Sequence, residues 1–333
     1  MITYIIKNNM SIACKKFKIV NILLKKSLFN DNIISIILNY YWVSSSDNKR
    51  KVLLVWIPIE KIDWRFLPIN PYSIDLIKEN LDKVDWRYMS GNPNAISLLK
   101  QHPDKIVWYE LAENKNAIDL LEQNIDKVYF KKLSENKNAI SLLEKHINRI
   151  DWEILSRNKN AICLLEQNQD KIDWHMLSMN KNAIHLLKDN PDKISWYYLS
   201  ANENAIELLE NNLDYIDWDL MSSNKNAITL LENNLDKIDY EALCRNENAI
   251  HLIEQNIDRM RDELFNFDDW YLLSANPNAV SLLERNMDLI HWDQLSANKS
   301  AIHLLEQNKE KINWCYFSRN PSIFKDESMP TII

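Results

Sequence analysis

The sequence predicts an all-α protein, an α-solenoid of about twelve 22-residue two-helix repeats with an N-terminal helical cap. Large aromatic residues recur every 22 residues from Trp64 to Tyr240, and again from Trp270 to Trp314 after one step of 30 residues. The unit reads W-x-x-L-S-x-N-x-N-A-I-x-L-L-E-x-N-x-D-K-I-D, numbered here as repeat positions 1–22, and repeats 1–12 begin at Trp64 through Trp314. Such agreement within one chain predicts stacked units that share a continuous core.

Two short helices are predicted in each unit. Asparagine at positions 7 and 17 is a favourable N-cap, and proline often follows it, as at Pro93 and Pro103, where a missing N–H is tolerated. Apolar positions 10, 11, 13 and 14 form one stripe and positions 21, 1 and 4 another. This pattern predicts one helix over positions 8–16 and one from position 18 to position 5 of the next unit.

The overall shape and the turns follow from the same unit. Helices this short are marginal alone and need stacking. At ~8–10 Å per helix, twelve units predict a rod or superhelix roughly 100 Å long. Because the chain has a single glycine, Gly91, we expect the asparagines at positions 7 and 17 to take the left-handed turn conformation.

Three domains are predicted: an N-terminal helical cap with a degenerate repeat at 1–63, the solenoid at 64–323 with an insertion near 259–269, and a C-terminal tail at 324–333. The degenerate repeat would begin at Trp42 and place Val52, Leu54, Val55 and Ile62 at apolar positions. An alternative for the first segment is an F-box-like adaptor, from the I-I-x-x-I-L spacing at 33–38. The last three residues match the minimal ligand pattern of PDZ domains. The insertion is expected to lengthen one helix or add a turn, and to kink the solenoid or mark a partner site.

Composition excludes many functions. One glycine leaves no GxGxxG, Walker A or GxSxG motif. The net charge of −7 gives no basic footprint for nucleic acid. Four cysteines without a CxxC pair fit reduced thiols, and no apolar stretch approaches the ~20 residues of a membrane helix. We therefore expect a soluble, cytoplasmic protein that is not an enzyme, has no cofactor, does not insert in a membrane, and has no small-molecule substrate.

Histidines at position 12 raise the alternative of a metal site. They are His185, His251 and His303. Because two or more units separate them, more than ~2 nm at the usual helix spacing, one metal cannot bind two of them. No metal site is predicted, and the rows of Glu at position 15 and Lys at position 20 are interpreted as solvated ion pairs.

The variable positions 2, 3, 12 and 16 predict a partner surface. They carry aromatic and other large side chains that suit a protein partner. The candidate partner-binding residues are Tyr88, Tyr109, His175, Met176, Tyr197, Tyr198, His185, His251 and His303. The predicted function is a non-enzymatic scaffold for protein–protein interaction. Alternatives are a structural or assembly component of a virus particle and, third, a repeat-based nucleic-acid reader.

The unit N-P-N-A-I-x-L-L-E-x-N-x-D-K-I-D-W-x-x-L-S resembles short tandem repeats in uncharacterised proteins of giant, mimivirus-like DNA viruses. The resemblance covers about residues 60–323, and the abundance of Asn, Ile and Lys also fits an AT-rich genome. It implies a viral repeat protein, in the host cytoplasm or the virion, and supplies no activity, cofactor or catalytic residue.

Overall fold

A computed structural model describes residues 50–263 and 267–327 of the chain. The chain divides into a large compact unit, 52–325, and a smaller one formed by 1–51 and 326–333. In the smaller unit, the N–H of Glu327 donates to the carbonyl of Arg50 at 2.9 Å, and Lys51 pairs with Asp326 at 2.7 Å. The predicted cap helix, the F-box-like segment and the PDZ-ligand pattern lie outside the described residues.

The large unit is built from short helices, as predicted for an all-α repeat protein. In repeats 2–12 the first helices begin at position 1, except in repeat 10, where the helix begins three residues earlier; they are Trp86–Gly91, Trp108–Leu111, Phe130–Glu135, Trp152–Ser156, Trp174–Ser178, Trp196–Ser200, Trp218–Ser223, Tyr240–Cys244, Phe267–Ala275, Trp292–Ala297 and Trp314–Arg319. In repeats 1–11 the second helices, at position 11, are Ile74–Ile77, Ile96–Gln101, Ile118–Glu122, Ile140–Lys145, Ile162–Glu166, Ile184–Asp189, Ile206–Glu210, Ile228–Glu232, Ile250–Glu263, Val280–Glu284 and Ile302–Gln307.

In most repeats, though not in repeats 1 and 9, positions 18–20 form a separate 3-10 turn, so the single helix predicted from position 18 to position 5 is wrong. In repeat 5 the turn is Gln169–Lys171, and the next helix begins at Trp174. The backbone is extended at Asp173, whose carboxylate caps that helix by accepting from the N–H of Met176 at 2.9 Å. An N-cap needs extended backbone, so the cap itself interrupts the longer helix.

The left-handed conformation expected for the asparagines is also wrong. Asn92, at position 7, has φ −73° and ψ 120°, and Asn168, at position 17, has φ −135° and ψ 48°. The Asn168 amide instead donates to the carbonyl of Leu164 at 2.8 Å, which satisfies an orphan carbonyl at the helix end. Side-chain hydrogen bonds thus end the helix here in place of the left-handed glycine that usually does so.

Asparagine at position 7 joins each repeat to the one before it. All twelve are buried. Asn158 accepts from the N–H of Asn160 at 3.1 Å, which closes the turn before the helix Ile162–Glu166. That helix begins at position 11 with Ala161 as its N-cap and no side-chain cap bond, so the helix start at position 8 and the N-cap predicted at position 7 are wrong for this repeat. Its amide also donates to the carbonyls of Ser134 and Asn136 in the preceding repeat, at 2.9 and 3.3 Å. The same side chain therefore caps one turn and links two units.

Serine at position 5 ties the two ends of a repeat together. Ser156 is buried, donates to the carbonyl of Trp152 at 2.7 Å and accepts from the N–H of Asp173 at 3.0 Å. Around these polar contacts lie buried side chains at positions 4, 10, 13, 14 and 21, for example Leu155, Ala161 and Ile172. The core is thus one layer between the first and second helices.

The large unit closes on itself, so the rod or superhelix roughly 100 Å long that helix spacing predicts is wrong. The amide of Asn70 in repeat 1 donates to the carbonyl of Asn320 in repeat 12 at 2.7 Å, the same link that joins other neighbouring repeats. The helix Trp314–Arg319 packs against the 3-10 turn Leu67–Ile69, which replaces the first helix of repeat 1. The repeats of 52–325 therefore form a closed ring, and we call the junction of repeats 12 and 1 the seam.

The twelfth repeat is completed by the N-terminal part of the unit. The N–H of Asp63 donates to Ser318 Oγ at 2.8 Å, the position-22 to position-5 bond found inside other repeats. The 3-10 turn Ile59–Lys61 and buried Ile62 likewise occupy positions 18–21 of repeat 12. Residues 59–63 therefore supply the positions that the last copy lacks.

A small sheet replaces the second helix of repeat 12. Strand β1, Lys51–Leu53, pairs with strand β2, Phe324–Asp326, and the N–H of Leu54 donates to the carbonyl of Ile323 at 2.9 Å. The helix expected at Val52, Leu54 and Val55 is thus absent from the described residues. Strand pairing accounts for the difference, because it satisfies the backbone of both segments at once.

The insertion near 259–269 lengthens a helix, as predicted. The second helix of repeat 9, Ile250–Glu263, and the following first helix, Phe267–Ala275, are both longer than their counterparts. The Asn276 amide still donates to the carbonyls of Cys244 and Asn246, at 2.9 and 3.3 Å. The extra residues therefore leave the buried links between the repeats unchanged.

Candidate functional surface on the inner wall

The first helices line the inside of the ring. They pack on one another along the series, whereas the second helices contact mainly their own repeat. Neighbouring elements lie closer together at the inside of a curve, so the first helices are the inner layer. Twelve first helices spaced ~8–10 Å apart around a circle fix its diameter. Subtracting a helix radius of ~5–6 Å on each side leaves a channel roughly 20–25 Å wide.

Positions 2, 3 and 6 form the surface of this channel, which we call the inner wall. Positions 4 and 5 of the same helices are buried against the outer layer, whereas positions 2 and 3 are exposed or half-buried, with the exception of buried Ala242 in repeat 9. At positions 2, 3 and 6 the wall has seven basic side chains and seven acidic ones. The basic ones are Arg65, Arg87, Lys131, Lys132, Arg157, Arg245 and Arg319, and the acidic ones are Glu110, Glu113, Glu135, Glu153, Asp219, Glu241 and Asp293. A wall of balanced charge does not favour a polyanion.

Charge is unevenly distributed around the wall. Arg319, Arg65 and Arg87 follow one another across the seam, in repeats 12, 1 and 2. Asp219 lies in repeat 8, where burial and then the neighbouring Asp239 and Asp217 raise its pKa. The wall therefore has a basic sector at the seam and an acidic residue, Asp219, in repeat 8, whereas Glu241 and Arg245 of repeat 9 pair with each other at 3.0 Å.

Six predicted partner-binding residues lie on the inner wall. Those of repeats 6 and 7 form a cluster. The ring of Tyr198 lies 6.3 Å from that of His175 and 5.1 Å from that of Tyr197, measured between centroids. Met176 is half-buried next to His175, and Tyr197 is 54 % exposed. This cluster is the largest group of predicted residues that the fold brings together.

Tyr88 and Tyr109 lie on the same wall, outside that cluster. The Tyr88 ring packs 5.5 Å from Phe66 and lies under the guanidinium of Arg87 at 4.8 Å. Tyr109 is 45 % exposed and makes an edge contact with Tyr129 at 5.3 Å. The contacts of Phe66 with Tyr88 and of Tyr129 with Tyr109 could not be predicted from the sequence. They join position 3 to position 3 of the next repeat, and position 2 to position 22, and these distances depend on the curvature of the ring.

Lys132, at position 3 of repeat 4, forms ion pairs with acidic side chains. It pairs with Glu113, and a hydrogen bond to that carboxylate raises the pKa of the Lys132 ammonium. Its Nζ also lies 5.1 Å from the centre of the Tyr109 ring. Such pairs fix the wall side chains without burying them.

The three position-12 histidines lie on the outer layer, away from the inner wall. Each is exposed and pairs with the position-15 glutamate of the preceding repeat: His185 with Glu166 at 2.8 Å, His251 with Glu232 at 3.2 Å, and His303 with Glu284 at 2.7 Å. The predicted partner-binding residues therefore lie on two separate surfaces, the inner wall and the outer layer. Among residues 50–263 and 267–327, no three His, Cys, Asp or Glu side chains are grouped to hold a metal.

Position-20 lysines make a contact that the sequence interpretation missed. Lys171 Nζ lies 4.9 Å from the centre of the Trp152 ring, and Lys193 lies 4.4 Å from that of Trp174. The same relation recurs at Trp64, Trp108, Phe130, Trp218 and Trp292. These lysines thus form cation–π contacts with half-buried rings, where ion pairs were expected.

Comparisons with known proteins give no functional assignment. Searches with the chain matched no protein family, no curated protein and no solved structure. In the described part of the chain, no helix has the length and apolar character needed to span a bilayer.

Proposed function

We propose that this chain is a non-enzymatic scaffold that holds a protein partner against the inner wall of its ring. One observation carries the proposal: the constant positions 4, 5, 7, 10, 13, 14 and 21 are buried and build the frame, while the variable positions 2 and 3 face the channel. A constant frame with a variable wall is the arrangement by which repeat proteins bind partners on their concave side.

The chemistry of the wall supports a protein over a nucleic acid. Exposed tyrosines such as Tyr109 and Tyr197 provide contact area at low entropic cost, and aromatic residues are enriched in interface cores. A channel of roughly 20–25 Å accommodates one or two helices ~10 Å in diameter. The balanced charge of positions 2, 3 and 6, with further aspartates at position 22, does not favour phosphate backbones.

The resemblance to giant-virus repeats makes a viral origin part of the proposal. An assembly component of a virus particle is the second candidate. Closure joins the two end repeats to each other, so an assembly would have to use the rims or the outer layer of the ring.

Affinity capture with tagged full-length protein tests the proposal, using one variant for each layer. The inner variant is Tyr197→Ser with Tyr198→Ser, and the matched outer variant is His185→Ala with His303→Ala. We expect a specific partner whose capture falls at least ~10-fold with the inner variant and is unchanged with the outer one, as for loss of aromatic anchors. Capture lost with the outer variant only, or recovery solely with capsid proteins, would contradict it.

A further inference from the structure

The seam contains an open cleft of about 500 Å³. It is lined by Lys61, Ile62, Asp63, Trp64, Arg65, Lys83, Trp314 and Cys315. Residues 61–65 and 314–315 come from opposite ends of the large unit and meet there because the ring closes. The volume lies in the range of small-molecule sites, ~300–1,000 Å³.

Two indole rings contribute to the cleft, and one differs from those of most other repeats. Lys83 lies over Trp64 at 5.0 Å, the usual position-20 contact. The corresponding pair in repeat 12 is Lys61 and Trp314, and among the described residues Lys61 lies over no ring. Trp314 instead makes an edge contact with Phe317 at 5.5 Å. A half-buried indole thus lines the cleft without the cation that covers the position-1 ring in seven other repeats.

The polar groups of the cleft are mainly cationic. Lys61, Arg65 and Lys83 face one carboxylate, Asp63, which pairs with Arg65 at 2.9 Å. Two ammonium groups are therefore in excess, in a chain whose net charge is −7. A phosphate monoester has a charge of about −1.5 to −2 near neutral pH, which matches this excess.

We propose that the seam cleft binds a planar aromatic group that carries a phosphate. The ring of Trp314 supplies stacking surface, and Lys61 and Lys83 supply the charge. A nucleotide base and a phosphorylated tyrosine share this chemistry. The inference is independent of the partner on the inner wall.

Occupancy of the cleft would strengthen closure. A ligand held by Lys61 and Trp314 contacts both ends of the large unit, so it binds the closed ring better than an opened one. Binding that prefers the closed state raises its stability by mass action. The ligand therefore shifts the thermal midpoint as well as giving a binding signal.

Isothermal titration of the full-length protein tests the site. The probes are O-phospho-L-tyrosine and adenosine 5′-monophosphate, with tyrosine, adenosine and inorganic phosphate as partial ligands. We expect at least one aromatic phosphate to bind at least ~10-fold more tightly than its partial ligands, because charge and stacking contribute together. The tighter of the two identifies the source of the group. No binding of either at millimolar concentration would overturn the proposal.

A matched pair of lysine variants locates the binding. Lys61→Ala removes a cleft cation, and Lys171→Ala removes the same repeat position in repeat 5; both lysines are exposed, so both variants are expected to fold. We expect Lys61→Ala to weaken the aromatic phosphate at least ~10-fold and to abolish its thermal shift, and Lys171→Ala to do neither. Equal effects of the two variants would place binding elsewhere and overturn the proposal.

Discussion

The seam and an interior repeat such as repeat 5 use the same buried contacts but differ in how the chain supplies them. In repeat 5 one continuous segment provides every position, and Asn158 donates to two carbonyls of repeat 4. At the seam two distant segments provide repeat 12, and the Asn70 amide donates to the Asn320 carbonyl alone among the described residues. The seam therefore keeps the buried link with one hydrogen bond fewer.

The seam differs more from an interior repeat at the exposed rim of the ring than it does in the buried layer. In most repeats the position-9 asparagine also donates to the preceding repeat, as Asn160 does to the carbonyl of Lys137 at 2.9 Å. Around the seam, position 9 is Ser300, Ser322 and Tyr72, so this second row of amides does not continue there. Closure therefore depends on the buried layer and on the segment 59–63, while the exposed rim bonds are dispensable.

Removing the buried isoleucine of position 21 should have the largest effect. Ile62 at the seam and Ile172 in repeat 5 are 4 % and 8 % exposed. We expect Ile62→Ala and Ile172→Ala each to lower the free energy of unfolding by about 3 kcal/mol, through lost burial and a cavity. Urea unfolding measures both. A negligible effect of Ile62→Ala beside a full effect of Ile172→Ala would mean that the seam is open.

Alanine substitution of the position-7 asparagine should lower the free energy of unfolding by different amounts at the seam and in repeat 5. Asn158→Ala leaves two carbonyls and one N–H without their side-chain partner, whereas Asn70→Ala leaves one of each. We expect losses of about 3 and about 2 kcal/mol in the free energy of unfolding, from the cost of unsatisfied buried groups. The reverse order, measured by the same urea titration, would show that the seam link is the stronger one.

Serine at position 5 should give a smaller and equal effect in both regions. Ser318 accepts from the N–H of Asp63 at 2.8 Å, and Ser156 accepts from that of Asp173 at 3.0 Å. Ser318→Ala and Ser156→Ala should each cost about 1 kcal/mol. Hydrogen exchange of the amides of Asp63 and Asp173 reports the loss locally. A fast-exchanging Asp63 amide in the unmodified protein would contradict the seam bond.

Acidification should weaken the seam slightly. The hydrogen bond from Arg65 holds the pKa of the Asp63 carboxyl below its usual value. A lowered folded pKa contributes stability above the unfolded value, ~3.9, that is lost as the pH falls through the folded pKa. Arg65→Gln should therefore be less stable than the unmodified protein at pH 6, and the difference should vanish once the pH is below the folded pKa of Asp63. A difference that persists at low pH would exclude this pair as its cause.

The helices and the buried frame could be predicted because they follow from local periodicity. The local bond of position 7 also follows from asparagine chemistry: the Asn158 side chain accepts from the N–H of Asn160 and closes a turn, although the N-cap of the following helix is Ala161. The second bond of the same side chain could not be predicted, since its acceptor lies in another repeat. The aspartate at position 22, directly before the aromatic, was a readable N-cap signal that would have placed the helix start correctly.

Closure could not be predicted from helix spacing, because curvature depends on the difference between the inner and outer layers. A signal was nevertheless present. The segment Ile59-Glu-Lys-Ile-Asp63 matches positions 18–22, and the last copy leaves the pattern before those positions. Two incomplete ends that complement each other indicate a repeat shared between them. The inner wall exists only because the ring closes, so the contacts between its residues could not be predicted without knowing of closure.

Distance measurement across the seam tests ring closure most directly. Spin labels at positions 72 and 322, on a background with the native cysteines replaced, report the position-9 distance between repeats 1 and 12. Labels at 116 and 138 report the same distance between repeats 3 and 4. Closure predicts matching distance distributions for the two pairs. A 72–322 distance approaching ~100 Å, the length of twelve repeats stacked in an open rod, would contradict the ring and the inner wall with it.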